Sequence, residues 1–268
     1  MGENKPINSY RGRLAPTPSG YLHKGHVSTF RTAWQRALGG SLVFRMDDLD
    51  PKRCSLKYAE ACKDDLKGIG IDWNEGPDCG GLFGPYKQSD RGKLYLEALS
   101  LLLDIGMIYP CTKSRKEIGE VGLKSISGED FLFPENWSTS KKIKGVFDFP
   151  GSTNWRFRTR WGDKISFFDQ NKKYVEYTVG LDLSDFVVWR KDGFASYELA
   201  TVVDDHKMQI TEVVRGMDLL LSSARQCMIY DALGWERPKF YHCDLVTDCE
   251  GRKLSKSSRD LPRLFTIF

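Results

Sequence analysis

The first hundred residues alternate between two hydrophobic patterns. A short apolar stretch, Arg13-Leu14-Ala15, ends at Pro16 and Pro18 and predicts a buried strand running into a stiff turn. Over 26–38 the spacing becomes helical, with Val27, Phe30, Ala33, Trp34 and Ala37 on one face, and Gly39-Gly40 ends it. A second apolar run over 41–46 predicts another buried strand, and helical patterns follow at about 56–69 and 91–105. β-α-β-α is the order of a parallel α/β sheet.

Residues 113–155 break that rhythm. They are rich in Lys, Ser, Gly and Asn, lie close to Pro110, Pro134 and Pro150, and keep no sustained period, which predicts an inserted subdomain. Alternation resumes near Asp185. The pattern predicts strands at 186–190, 210–215 and 239–246, with helices at 198–206 and 222–233 between them. Ser222-Ser223 is the expected cap of the second of these helices, and Gly234 its close. The expected architecture is therefore α/β, a parallel sheet split in two by an insertion.

Length and composition narrow the class without naming a function. A chain of 268 residues buries a substantial core, and 40% hydrophobic with 28% charged residues is ordinary for a globular protein. No apolar run reaches the roughly 18–20 residues of a membrane span, and the start, MGENKPINSYRGR, has no apolar core of a signal peptide. The seven cysteines are odd in number and form no C-x-x-C pair, which predicts reduced thiols and a cytoplasmic protein. The formal charge is +4, and the segment 111–164 carries all of it, with eleven Lys/Arg against seven Asp/Glu. A basic subregion on a neutral body can track a phosphate backbone, and a solvated polar insertion accounts for it equally well.

Three clusters carry candidate chemistry. In His23-Lys24-Gly25-His26 two histidines stand three apart at a helix start, where free N–H groups and the positive dipole end favour phosphate. Such a pair can stabilise charge on a triphosphate as pyrophosphate leaves, although two structurally neutral histidines fit the same spacing. A two-histidine metal site is less attractive, because no Cys or further His clusters nearby. Near the other end, Lys253 and Lys256 sit among Ser255, Ser257 and Ser258 in a Gly251-containing loop. Two ammonium groups there can clamp the far side of a triphosphate, while alone such a run is usually a solvated loop. Between them lies Asp204-Asp205-His206, able to bind magnesium or order a loop, followed by Arg215 at a predicted strand end. Arg13 is placed equivalently on the first strand, and two converging arginines suit a substrate with two carboxylates. Either arginine taken singly is explained by an ordinary ion pair.

Taken jointly, these residues resemble a class I aminoacyl-tRNA synthetase of the glutamyl type. The run 12–26 is similar to that family's opening strand and HIGH signature, and Arg45-Met46-Asp47-Asp48-Leu49-Asp50 to its Arg-Ile-Glu-Asp-x-Asp segment. Segments 84–91, 197–206 and 213–220 match further, and Gly251-Arg252-Lys253-Leu254-Ser255-Lys256-Ser257 resembles the KMSKS loop. The similarity covers about two thirds of the chain, in order, with the insertion in the family's place. It implies a Rossmann-type parallel sheet whose first half is 1–112, an inserted connective subdomain 113–180 that contacts tRNA, and a second half 181–268.

The same resemblance implies roles. Arg13, Ala15, Thr17, Asp47, Tyr197 and Arg215 would line a glutamate pocket, with Asp47 standing where the family has Glu. His23, Gly25, His26 and Lys256 would contact ATP, and His23, His26, Lys253 and Lys256 would carry catalysis, with magnesium on the phosphates. Relatives often hold zinc in the insertion, but Lys113 stands where a second cysteine would follow Cys111, so no zinc and no other protein-bound metal is expected. Only eleven residues follow Ser257. Within the family this resembles the glutamyl-Q tRNA(Asp) synthetases, which lack the anticodon-binding region and glutamylate queuosine. A chain lacking terminal helices would end in the same way. The expectation is a monomeric ATP-dependent ligase of glutamate to queuosine in tRNA(Asp). The alternatives are a truncated glutamyl-tRNA synthetase charging the 3′ end of tRNA(Glu), and a non-catalytic tRNA-binding paralogue.

Overall fold

A computed structural model describes residues 10–128, 130–138 and 149–245. In chain order its elements are β1 (Arg11–Leu14), α1 (Lys24–Arg36), β2 (Ser41–Phe44), α2 (Leu56–Gly68), α3 (Gly92–Asp104), β3 (Ile108–Cys111), α4 (Arg115–Val121), β4 (Asn154–Phe157), β5 (Lys164–Asp169), β6 (Lys173–Thr178), β7 (Phe186–Trp189), α5 (Tyr197–Lys207), β8 (Glu212–Gly216), α6 (Leu220–Leu233) and β9 (Lys239–Cys243). The chain divides into two compact units, one within Met1–Arg91, Lys207–Leu219 and Pro238–Phe268, the other within Gly92–His206 and Leu220–Arg237.

The first unit is a parallel α/β unit. β1 and β2 pair in parallel, Arg11 opposite Ser41 through Leu14 opposite Phe44, with α1 as the crossover that parallel strands require. β8 and β9 form a second parallel pair, and backbone and side-chain bonds between Arg11 and Thr211 set β1 beside β8. Leu14, Leu42, Phe44, Leu66, Ile71 and Val214 form its core, and the expected face of α1 supplies Ala33 and Ala37, with Phe30 and Trp34 packed against them. The glycine pair after α1 has two separate jobs. Gly39 takes φ +82, and a Cβ on Gly40 would stand 2.3 Å from the carbonyl oxygen of Tyr10, which accepts the Ser41 N–H.

The second unit holds what the sequence pattern did not show. β3, β4 and β7 form an antiparallel sheet in that order, and β5 and β6 an antiparallel hairpin. The strand expected at 186–190 is therefore antiparallel to β4 and does not continue the parallel set; an apolar run alone does not report direction. The hairpin escaped because its polarity is inverted at the turn. Phe168 faces out, whereas Asp169 is buried with its carboxylate accepting the N–H groups of Asn171 and Lys172. Helix α6 begins at Leu220, so Ser222 and Ser223 do not cap it; Ser223 is buried and the Ser222 hydroxyl donates to Glu198. Gly234, at φ +66, does follow its end. Among the described residues no helix is long and apolar enough to cross a membrane.

Gly40→Ala is expected to destabilise the chain by about 1–3 kcal/mol, because the methyl group meets backbone rather than a side chain that could move aside. Urea unfolding measures it, and an unchanged midpoint would refute the close approach.

Candidate active site

His23 is the N-cap of α1, in extended conformation at φ −116 and ψ 168. Its Nδ1 accepts the N–H of Gly25 at 3.2 Å, and its own N–H is accepted by Nδ1 of His26 at 3.3 Å. The two rings stack with centroids 3.6 Å apart. A ring nitrogen that accepts carries no proton, so this bonding pattern assigns both protons to Nε2 and both rings to the neutral form. The pair caps the helix through Nδ1, as Ser or Asp would, and thereby makes Nε2 of each ring a donor at the positive end of α1.

Arg13 and Arg215 lie on the neighbouring strands β1 and β8, and both are buried. Nη1 of Arg13 donates to the carbonyl of Val214 at 2.9 Å, and Nε of Arg215 to Nε2 of His242 at 3.3 Å. The backbone of Val214 thus joins the two arginines, since it precedes Arg215 directly. Beyond Leu14 the chain alternates partly exposed Ala15 and Thr17 with buried Pro16 and Pro18, the period of extended backbone. Arg13, Ala15 and Thr17 share one parity. The proline carbonyls still accept, from Asp47 and Ser55, so the stiff turn runs alongside the chain after β2.

Asp47 is buried and already engaged. Arg45, with no exposed surface, donates from Nε to its Oδ1 at 2.7 Å and from Nη2 to Oδ2 at 3.4 Å. Any substrate ammonium at Asp47 therefore shares the carboxylate with a buried arginine. The i, i+2 spacing of Arg45 and Asp47 was the readable signal for this pair. A further network under the site was not legible. Arg36 of α1 makes a bidentate ion pair with buried Glu212, at 2.6 and 2.7 Å, and Tyr10 donates to the same carboxylate at 2.8 Å. Burial and this bond raise the Tyr10 hydroxyl well above its ordinary value.

The remaining candidates fall elsewhere. Tyr197 is the first residue of α5 and belongs to the second unit, as do Asp204, Asp205 and His206. Asp204 is buried and accepts from the Tyr95 hydroxyl at 3.0 and 3.1 Å, and the His206 ring stacks on Trp235 at 3.9 Å. That favours the ordering role of this cluster over a magnesium site. Cys111 is buried, its sulfur accepting from Arg156 Nε at 3.4 Å, and Lys113 pairs with Glu117 over the ring of Trp137. Among the described residues no group of three or more His, Cys, Asp or Glu side chains gathers where it could hold a metal ion. Lys253 and Lys256 lie outside the described residues.

Asp47→Ala deprives buried Arg45 of its carboxylate and is expected to cost about 3–5 kcal/mol in chemical denaturation, independently of any effect on substrate. A loss below about 1 kcal/mol would show that the pair contributes little to the fold.

Residues 9–266 match the family of tRNA synthetases class I (E and Q), catalytic domain. The chain is 38% identical over 263 residues to a glutamyl-Q tRNA(Asp) synthetase of Nitratidesulfovibrio vulgaris, covering 94% of this chain and 79% of that one. It is 37% identical over 257 residues to a glutamate–tRNA ligase of Bacillus mycoides, covering 94% of this chain and 53% of the relative. A solved glutamate tRNA ligase of Elizabethkingia meningosepticum, in complex with its amino acid, superposes with a TM-score of 0.80 at 29% identity, over 93% of this chain and 52% of that one. The chain thus spans about half the length of the glutamate–tRNA ligases it matches. It belongs to the class I tRNA synthetase (E and Q) catalytic-domain family, and with it to the ligases that form aminoacyl-tRNA.

Proposed function

We propose that the protein activates L-glutamate with ATP and transfers the glutamyl group to queuosine of tRNA(Asp). The observation that carries the substrate reading is the pair of buried arginines on the neighbouring strands β1 and β8, Arg13 and Arg215, which suits a ligand with two carboxylates. Ala15 and Thr17, of the same parity as Arg13, continue that wall, and Asp47 with Arg45 behind it receives the substrate ammonium; Tyr197 is assigned to glutamate by family resemblance alone.

In the first step one oxygen of the glutamate α-carboxylate attacks the α-phosphorus of ATP. The bond from that phosphorus to the bridging oxygen breaks, giving glutamyl-adenylate and pyrophosphate. The Nε2–H groups of His23 and His26 donate to the phosphate oxygens where negative charge builds up, and Gly25 lets the nucleotide approach the chain. Lys253 and Lys256 are assigned to the departing pyrophosphate. Magnesium bound to the triphosphate would lower its charge. Catalysis rests on placement and charge stabilisation rather than on a protein nucleophile. We assign residues 113–180, between the halves 1–112 and 181–268, to contact with the RNA, and the basic excess of 111–164 supports this. The cytoplasm, where ATP and tRNA are at hand, is the fitting compartment.

Queuosine as acceptor is supported by relatives named glutamyl-Q tRNA(Asp) synthetase at 38% and 39% identity. The glutamate–tRNA ligases at up to 37% among those compared favour the second reading, the 3′ end of tRNA(Glu). Glutamate-dependent ATP–pyrophosphate exchange separates them. Exchange without tRNA, followed by labelled glutamate on queuosine-containing tRNA(Asp) and none on the unmodified form, is the expected result. Exchange that strictly requires tRNA(Glu) would replace this reading with the second, and no exchange at all would leave a tRNA-binding paralogue.

Arg215→Ala should cost about 2–4 kcal/mol in kcat/KM for glutamate activation, as for loss of a buried charged partner. An unaffected variant would remove Arg215 from the pocket.

A further inference from the structure

The β5–β6 hairpin turns a phenylalanine out and the aspartate beside it in. Phe168 is 57% exposed, whereas Asp169 has no exposed surface. In the antiparallel register Phe168 stands directly opposite Tyr174, itself 65% exposed. Lys164, Ser166 and Phe168 on β5 share this outward face with Tyr174, Glu176 and Thr178 on β6, while Ile165, Phe167 and Asp169 are buried on the other. Among the described residues no aromatic ring stacks on Phe168 or Tyr174.

The face is held in place and carries charge. Glu176 accepts from the Tyr174 hydroxyl at 2.8 Å and from Nζ of Lys164 at 2.7 Å, which fixes the tyrosine and an ammonium on one surface. Asp169 closes the turn by accepting the N–H groups of Asn171 and Lys172, and its inward position takes a carboxylate off the outer surface. Lys173, exposed at the tip of the hairpin, has φ +68. Glycine fits that conformation without strain, so a lysine there keeps a cation beside Tyr174 against a backbone penalty.

Two exposed rings among lysines and hydroxyls fit a partner with flat faces and negative charge. They present far less apolar surface than the roughly 800 Å² per partner of a stable protein interface, and no apolar helix face of the kind that lies in a lipid surface. An unpaired base has a π-face for a ring, and its phosphate suits the ammonium of Lys173. In RNA loops such bases are splayed out where rings reach them, whereas paired bases are covered by their neighbours. We propose that Phe168 and Tyr174 form a stacking platform for unpaired nucleotides of the tRNA, with Lys173 on the adjoining backbone. The proposal rests on the assignment of 113–180 to RNA contact and names the contact surface within it.

The test is fluorescence anisotropy with the full chain and labelled tRNA, using whichever the unchanged chain binds more tightly, queuosine-containing tRNA(Asp) or tRNA(Glu). Phe168→Ala combined with Tyr174→Ala is expected to weaken tRNA binding about tenfold or more, with calorimetric ATP affinity within about twofold. Tyr174→Phe, which keeps the ring, should stay within about threefold of the unchanged chain. Lys173→Gly should lower the slope of log Kd against log salt by about 0.7–0.9, a change that a merely structural role would not produce. Unchanged tRNA affinity in the double alanine variant overturns the proposal, and so does an ATP affinity that falls as far as that for tRNA. An unchanged salt slope in Lys173→Gly overturns the part assigned to the lysine. If the double alanine variant does not fold, Phe168→Leu combined with Tyr174→Leu decides, since tRNA binding as tight as the unchanged chain's would rule out stacking. Self-association that disappears in the ring variants while tRNA affinity holds would give the face to a second copy of the chain instead. An unchanged chain that binds neither tRNA sinks the RNA reading and this proposal together, whereas tight tRNA binding that the ring variants leave intact sinks this proposal alone.

Discussion

Burying a guanidinium in a strand is costly unless acceptors meet it, and the first unit is arranged around that demand. β1 carries two such groups, Arg11 and Arg13, in a stretch where all four residues are buried. Arg11 donates to the carbonyl of Met208 at 2.6 Å and pairs with Glu75 at 2.7 Å, while Arg13 reaches the carbonyl of Val214 at 2.9 Å. The first carbonyl lies just after α5 and the second in the middle of β8. The arginines therefore fix which later strand lies beside β1. That adjacency in turn sets Arg215 next to Arg13.

The charges in this unit separate by acceptor. Carboxylates hold Arg11, Arg36 and Arg45, and these pairs fasten β1, α1 and the chain after β2 to their neighbours. Arg13 donates to the Val214 carbonyl and Arg215 to His242. The histidines at the start of α1 each use Nδ1 to satisfy a backbone N–H, which makes Nε2 of both rings a donor at the positive end of the helix.

The parallel unit was legible because its signals are local. Pro16, Pro18 and Gly39-Gly40 punctuate β1, α1 and β2, and the apolar face of α1 packs as its spacing indicates. The second unit was less so. Burial of Asp169 and exposure of Phe168 invert the alternation of β5, and the antiparallel pairing of β7 leaves no mark in an apolar run. Among candidate residues, Arg13, Arg215, His23 and His26 were visible as types at strand and helix ends. The partners of the two arginines, Val214 and His242, were not legible, since a residue that serves through another carries no motif of its own.

The sequence by itself determined the family. Ordered motifs from 12–26 to 251–257 place triphosphate chemistry and two arginines in one chain, because backbone turns, caps and charge types depend on local residue identity. Tertiary structure alone decided what each charge is bound to. It gave Glu212 to Arg36 and Tyr10, and His242 to Arg215, across separations of up to 202 residues. Such pairings arise from which strands lie side by side. Strand adjacency is set by the packing of the whole unit, and no window of sequence contains it.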